Sequence, residues 1–301
     1  MLCPSVRLGL GTRWDRTEYS MERVGVVGLG RMGSAMAERL ASQDVPVTGW
    51  TRSGRSVDGV PSAPDLAALV ATSDTLILSL YDDTAVAEVL DALLALDLTG
   101  KLIIETSTVV PNLLQDRADA LDAKEASAVD APISGGPEMV LEGSCGIFIG
   151  GTDADVARAR TALTLITERI AHVGPLGAGL VMKTINNSML QAYVTGLREL
   201  LPMAKRAGIS LEQTLGILNA GPAGIPMVAT RIDKILGKDP SVGFTMAGVH
   251  KDNDVFRRIV AAHNLPSPIL DFAAEMQREA IADGFGDKDP ALVIAAAYDK
   301  G

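Results

Sequence analysis

The sequence predicts an α/β protein: a Rossmann-type doubly wound sheet followed by an all-α C-terminal domain. Three observations carry that expectation. Strand-length apolar runs alternate with helix-length segments through the first half of the 301 residues, the pattern of repeated βαβ units. The first run ends in Gly28-Leu29-Gly30-Arg31-Met32-Gly33, a spacing that suits a dinucleotide-binding turn. Beyond Gly179 no clear strand run occurs, and helical segments continue to the end.

Residues 1–20 (MLCPSVRLGLGTRWDRTEYS) read as a disordered extension, and Met21 opens the folded part. The apolar stretch in that extension is too short and too charged for a secretory signal. The strand candidates then follow in order: RVGVVG (23–28), PVTGW (46–50), TLILSL (75–80), KLIIET (101–106), SAVDAP (127–132), CGIFIGG (145–151) and RIAHVG (169–174). TLILSL is apolar at nearly every position, as expected of a parallel strand covered on both faces. Segments such as DTAVAEVLDALLAL (83–96) and DADVARARTALTLI (153–166) carry the helical pattern between them. A long helix is expected from Ala178 to Ala207, with Gly208 as its stop and Ser210 as the next N-cap. These signals place a nucleotide-binding domain at 21–183 and a helical substrate and oligomerisation domain at 184–301.

The net charge of −10 disfavours sequence-independent nucleic-acid binding, which rests on cations neutralising phosphates. No apolar run reaches the length of a membrane helix, so no membrane partner is expected. Two cysteines, Cys3 and Cys145, stand at no zinc-binding spacing and allow no disulfide framework beyond one bridge. A reducing, cytoplasmic setting and no metal are the simplest reading.

Each glycine of the turn has a physical task. Gly28 permits the sharp turn, Gly30 lets the backbone approach a pyrophosphate, and Gly33 lets the helix pack closely on the strand. The helix N-terminus supplies free N–H groups to the phosphates. The second strand runs into Thr51, Arg52, Ser53 and Arg55. An NAD-selective site usually has an acidic residue there. A guanidinium flanked by hydroxyls suits a 2′-phosphate instead, so NADP is expected over NAD.

Tyr81, Tyr193 and Tyr298 are not followed by a lysine four residues on, which excludes a Tyr-x-x-x-Lys proton relay at these positions. The three histidines, His172, His250 and His263, are not favoured as bases, and His172 lies in a strand pattern. Lys183 is the one formally charged residue between Ile170 and Leu197. It shares a helix face with Asn187, four residues on. A lysine in a dry pocket has a depressed pKa and exchanges protons near neutral pH. On spacing alone a surface lysine beside an interdomain linker remains the alternative.

Four motifs in order make the chain resemble the β-hydroxyacid dehydrogenase family. That family includes 3-hydroxyisobutyrate dehydrogenases, tartronate semialdehyde reductases and glyoxylate/succinic semialdehyde reductases. The motifs are GLGRMGSAMAERL (28–40), DAPISGG (130–136), GAGLVMKTINN (177–187) and HKDND (250–254). ETSTVVP (105–111) is similar to a segment near the nicotinamide. The resemblance implies Lys183 as general acid/base with Asn187 beside it, and Ser134, Gly135 and Gly136 as the substrate-carboxylate site. It implies Lys251 closing over cofactor and substrate, and Leu80 and Thr108 as further cofactor contacts. The implied reaction is hydride transfer between NADP and a small 3-hydroxy acid or its semialdehyde or ketone.

The chain departs from the family after Gly136, where Met139 and Val140 are bulkier than usual. Their expected effect is a narrower or more apolar substrate cleft. Cys145 is expected to be core packing, and Glu105 stands where Asp is common. An imine reductase of the same architecture is the rival reading, and Lys183 argues against it. A non-catalytic NADP-binding protein is the second rival, and the chain is short for a 6-phosphogluconate dehydrogenase. A homodimer or homotetramer is expected, because the long apolar helix offers more surface than one small helical domain covers.

Overall fold

The computed structural model describes residues 22–301; the expected extension at 1–20 and the start at Met21 lie outside the described residues. Eight strands form one sheet: β1 (Val24–Val27), β2 (Val47–Trp50), β3 (Thr75–Leu78), β4 (Leu102–Glu105), β5 (Ser127–Asp130), β6 (Ile133–Ser134), β7 (Gly146–Gly150) and β8 (Ile170–Gly174). Helices α1 (Arg31–Ala41), α2 (Leu66–Thr72), α3 (Asp83–Leu94), α4 (Asn112–Gln115), α5 (Ala118–Asp122), α6 (Pro137–Glu142) and α7 (Asp153–Ile166) connect them. After β8 come α8 (Ala178–Arg206), α9 (Leu211–Ala220), α10 (Pro226–Ala229), α11 (Ile232–Ile235), α12 (Met246–Ala262), α13 (Pro268–Ala280) and α14 (Ala291–Asp299).

The strand order is β2-β1-β3-β4-β5-β7-β6, with β8 on β7. The chain leaves β1 in one direction for β2 and crosses back to β3, so the switch point lies between β1 and β3. In open α/β sheets ligands sit outside the carboxyl ends of the strands at such a point. Strands β1 to β5 are mutually parallel. Leu76, Ile77 and Leu78 of β3 have no exposed surface, and burying each such side chain contributes about 1.5–3 kcal/mol.

The repeated βαβ pattern implies a parallel sheet, and that order ends at β5. β7 runs antiparallel to β5 and β6. Only Ala131 and Pro132 separate β5 from β6, too few for the crossover that a parallel partner requires. The chain therefore continues straight from Asp130 to Ser134, turns through the short α6, and returns as β7. This small extended segment β6 has no strand signal of its own in DAPISGG.

Several helices begin at side-chain caps supplied by their own preceding residue: Asp65 for α2, Asp82 for α3, Thr152 for α7, Ser210 for α9 and Thr245 for α12. α8 does not; its N-cap is Gly177, at φ +95°. The first turns of α8 pack on β5, β7 and β8, and its later turns on α12, α13 and α14. One helix thus joins the sheet layer to the helical layer without a break. Gly208, at φ +76°, follows its last turn, as the expected stop.

Candidate active site

The glycine turn lies between β1 and α1. Gly28 has φ +94°, and its N–H donates to the Trp50 carbonyl at 2.8 Å. A Cβ on Gly33 would overlap the Gly28 carbonyl oxygen, whereas one on Gly30 would meet nothing within 4 Å. Gly33 is therefore a packing glycine and Gly30 faces open space at the helix N-terminus. α1 has no side-chain cap, so its first N–H groups are free for an anion. This cradle fits a dinucleotide pyrophosphate. Leu29 is buried beneath the turn and Met32 packs half-buried against the core. Arg31 donates instead to the Val242 carbonyl at 2.9 Å, which ties the turn to the helical domain.

The residues after β2 lie beside the turn. Arg52 is exposed and pairs with Glu88 of α3 at 2.9 Å, and Ser53 is exposed while Thr51 is half-buried. An ion pair this open to water is weak, so Arg52 is free to exchange Glu88 for another anion. Arg55 reaches back to the Leu29 carbonyl at 3.4 Å. Two guanidiniums thus stand at the end of β2.

The ends of β3, β4 and β5 form the next layer. The Leu80 N–H donates to Ser107 Oγ at 2.8 Å, and the Ser107 N–H donates to Glu105 Oε1 at 2.6 Å. Glu105 is buried, and its Oε2 has no partner. Burial pushes its carboxyl up to about 7, against the bonds from Ser107 and with help from Asp130. Asp130 lies in register with Glu105 on the adjacent strand. Burial likewise raises Asp130 to about 6, although the backbone N–H groups of Gly177 and Leu180 favour its ionised form.

Lys183 stands in the second turn of α8, buried at 8% exposure, and its Nζ donates to the Ile133 carbonyl at 2.6 Å. Burial pushes its ammonium below the ordinary lysine range; nearby Asp252 opposes this and Lys251 adds to it. The structure thus places Lys183 beside the Ser134-Gly135-Gly136 turn. Gly135 has φ +143° and Gly136 is the N-cap of α6. Ser134 Oγ is 3.3 Å from Asn186 Nδ2, which also donates to Asn187 Oδ1 at 2.9 Å. Asn187 therefore reaches the serine through Asn186, a residue the helical spacing did not single out. The doubled Asn-Asn was the available signal.

Lys251 crosses from α12 to the sheet. Its Nζ donates to the carbonyls of Tyr81 at 3.0 Å and Thr108 at 3.2 Å, and pairs with Asp252 at 2.7 Å. Arg258, two turns on, pairs with Asp83 of α3. The strand ends that carry Leu80 and Thr108 are thereby bridged to the helical domain. Val140 has no exposed surface and belongs to the core, which corrects its expected place in the cleft. Met139 lies against Gly135 and is 36% exposed. Cys145 is buried in the core, and His172 Nε2 lies 3.1 Å from the Gly151 and Gly174 carbonyls, a structural place.

A glycine cradle at the switch point, with a buried amine held on the segment that follows β5, defines the class: an NAD(P)-dependent oxidoreductase. The family model described as the NAD binding domain of 6-phosphogluconate dehydrogenase matches residues 23–174. The one described as NAD-binding of NADP-dependent 3-hydroxyisobutyrate dehydrogenase matches residues 177–297. The chain is 27% identical over 281 residues to a 2-(hydroxymethyl)glutarate dehydrogenase of Eubacterium barkeri, covering 90% of this chain and 93% of the relative. It is 27% identical over 292 residues to a mitochondrial 3-hydroxyisobutyrate dehydrogenase of Drosophila melanogaster, covering 92% and 90%. The structure of a Mycobacterium tuberculosis 3-hydroxyisobutyrate dehydrogenase with L-serine superposes with a TM-score of 0.83 at 24% identity, covering 92% and 99%. The chain belongs to the β-hydroxyacid dehydrogenase family.

Proposed function

We propose that this protein interconverts a small 3-hydroxy acid and its semialdehyde or ketone, with NADP as cofactor and Lys183 as general acid/base. The observation that carries this reading is the buried Lys183 ammonium, held on the Ile133 carbonyl next to the Ser134–Gly136 turn. The bound nicotinamide supplies the hydride acceptor or donor. The Ser134 hydroxyl and the N–H groups of Gly135 and Gly136 receive the substrate carboxylate, because a glycine turn presents donors without side-chain obstruction. Asn186 and Asn187 orient that serine. In oxidation the neutral Lys183 amine takes the hydroxyl proton; in reduction the ammonium returns it to the forming alkoxide. Lys251 closes the helical domain over the strand ends and keeps water from the transfer.

NADP over NAD is supported by Arg52 and Arg55 beside the turn, where no carboxylate stands between Thr51 and Arg55. The names of the relatives suggest the probes. Activity is measured with 3-hydroxyisobutyrate, 2-(hydroxymethyl)glutarate, L-serine and a cyclic imine, each with both cofactors. Oxidation of at least one acid, faster with NADP, is expected. Imine reduction without acid oxidation would overturn the reading, and a clear NADH preference would overturn the cofactor assignment.

A homo-oligomer also belongs to this proposal. Ile185, Met189, Leu200 and Met203 of α8 are each more than half exposed, an apolar strip of the kind that marks an association surface. Light scattering that gives a monomer at micromolar concentration would contradict it.

A further inference from the structure

α8 carries the residue on which the proposed chemistry turns, yet it has no cap of its own at Gly177. The missing cap comes from Asp130, at the end of β5. Its Oδ1 accepts from the Gly177 N–H at 2.6 Å and its Oδ2 from the Leu180 N–H at 2.8 Å. The carboxylate has no exposed surface. Space for it is cleared by glycines: a Cβ on Gly150 would overlap Oδ1, and one on Gly179 would come within 2.8 Å of Oδ2. Burying a carboxylate is costly unless it is hydrogen-bonded. Two backbone donors at the positive end of a 29-residue helix offset that cost.

The same short segment touches α8 at two further heights. Ile133 accepts from Lys183, and Ser134 meets Asn186. Residues 130–134 therefore run beside α8 from its first turn to its third. The axial distance from Leu180 to Lys183 is about 4.5 Å, at about 1.5 Å per residue. Wherever Asp130 holds the first turn, Lys183 follows with little freedom.

We propose that Asp130 is a positioning residue for the reaction: by pinning the N-terminus of α8 to the end of β5, it sets where the Lys183 amine stands against the substrate turn. This rests on the assignment of Lys183 as general acid/base. Displacement by about 1 Å can lower a rate on the order of 10²-fold. Asp130→Asn keeps the volume but sets an amide N–H₂ against one of the two N–H donors. It is expected to lower kcat for oxidation by roughly 10–100-fold, while KM for NADP+ stays within about twofold of the unaltered enzyme, since Asp130 lies away from the glycine turn.

The test is a double-mutant cycle in the full chain with Asp130→Asn, Lys183→Ala and the double variant. NADPH binding is followed by fluorescence and turnover by oxidation of 3-hydroxyisobutyrate and L-serine. If Asp130 acts through Lys183, Asp130→Asn has no further effect once Lys183 is absent. An equal fold-loss in both backgrounds, or an unchanged kcat in Asp130→Asn, overturns the proposal. Survival of activity in Lys183→Ala overturns the underlying assignment instead, so the two failures are distinguished. If Asp130→Asn does not bind NADPH, the cycle is repeated with Asp130→Ser, a smaller residue that keeps an acceptor. Equal losses in both backgrounds of that second cycle overturn the proposal in the same way.

Discussion

Replacing Lys183 with methionine separates its chemistry from its contribution to stability. Methionine nearly matches the lysine stem in length and carries no charge. If Lys183 transfers the proton, turnover falls on the order of 10²–10⁴-fold, the range for a general acid/base. At about 1.36 kcal/mol per tenfold, that is roughly 3–5 kcal/mol of barrier. Stability moves the other way. The variant loses the bond from the charged amine to the Ile133 carbonyl, worth about 1.5–3 kcal/mol, but it also relieves the desolvation that lowers the lysine's pKa. For a lysine depressed in the folded state, that penalty is present in full below the folded pKa. It fades as pH rises towards 10.5, the unfolded value. The melting temperature of Lys183→Met is therefore expected to equal or exceed that of the parent at pH 7, with the gap narrowing by pH 10. Steady-state rates, NADPH fluorescence and calorimetry at both pH values measure this. A variant that retains more than about a tenth of the activity falls outside the acid/base range and refutes the proton-transfer role. A melting point lowered by several degrees at pH 7 would mean that the ammonium holds the fold together.

Three other perturbations test neighbouring parts of the site. Gly33→Ala would drive a methyl into the Gly28 carbonyl, so NADPH binding should weaken at least about tenfold and stability drop by about 1–3 kcal/mol; unchanged binding in a fluorescence titration would contradict the cradle. Lys251→Met removes two bonds from the helical domain to the strand ends, and KM for NADPH should rise about tenfold, allowing for partial solvent screening; a changed kcat with an unchanged KM would place Lys251 elsewhere in the cycle. Glu105, raised from 4.5 to about 7, binds its proton more tightly when folded. Its stabilising contribution is complete below pH 4.5 and is lost as pH rises to about 7, an effect of roughly 3 kcal/mol. Glu105→Gln should therefore melt higher than the parent at pH 8 and converge with it near pH 4.5, and parallel melting curves across that range would refute the assignment.

Much of this architecture was legible in the chain because its signals are local. The glycines at 28 and 33 follow from turn geometry and a close helix contact that involve adjacent elements. The strand runs in the first half were readable because burial on both faces leaves almost nothing polar in them. The long helix and its stop at Gly208 follow from apolar periodicity and one left-handed residue. Asn186 and β6 were not legible in the same way. Asn186 departs from the stripe shared by Lys183 and Asn187, yet it is the asparagine that meets Ser134. β6 is two residues long and becomes a strand only because β7 returns beside it.

The sequence by itself determined the order of the longer strands and the long helix, the glycine turn and the helix face that bears Lys183. Those depend on side chains a few residues apart. The tertiary structure alone decided which groups surround that lysine. Ile133 accepts from it across 50 residues, Asp130 caps its helix across 47 and 50, and Lys251 reaches Tyr81 across 170. Local pattern does not encode such separations. They arise when the sheet aligns the ends of β3, β4 and β5, and the two layers close around a helix that spans both.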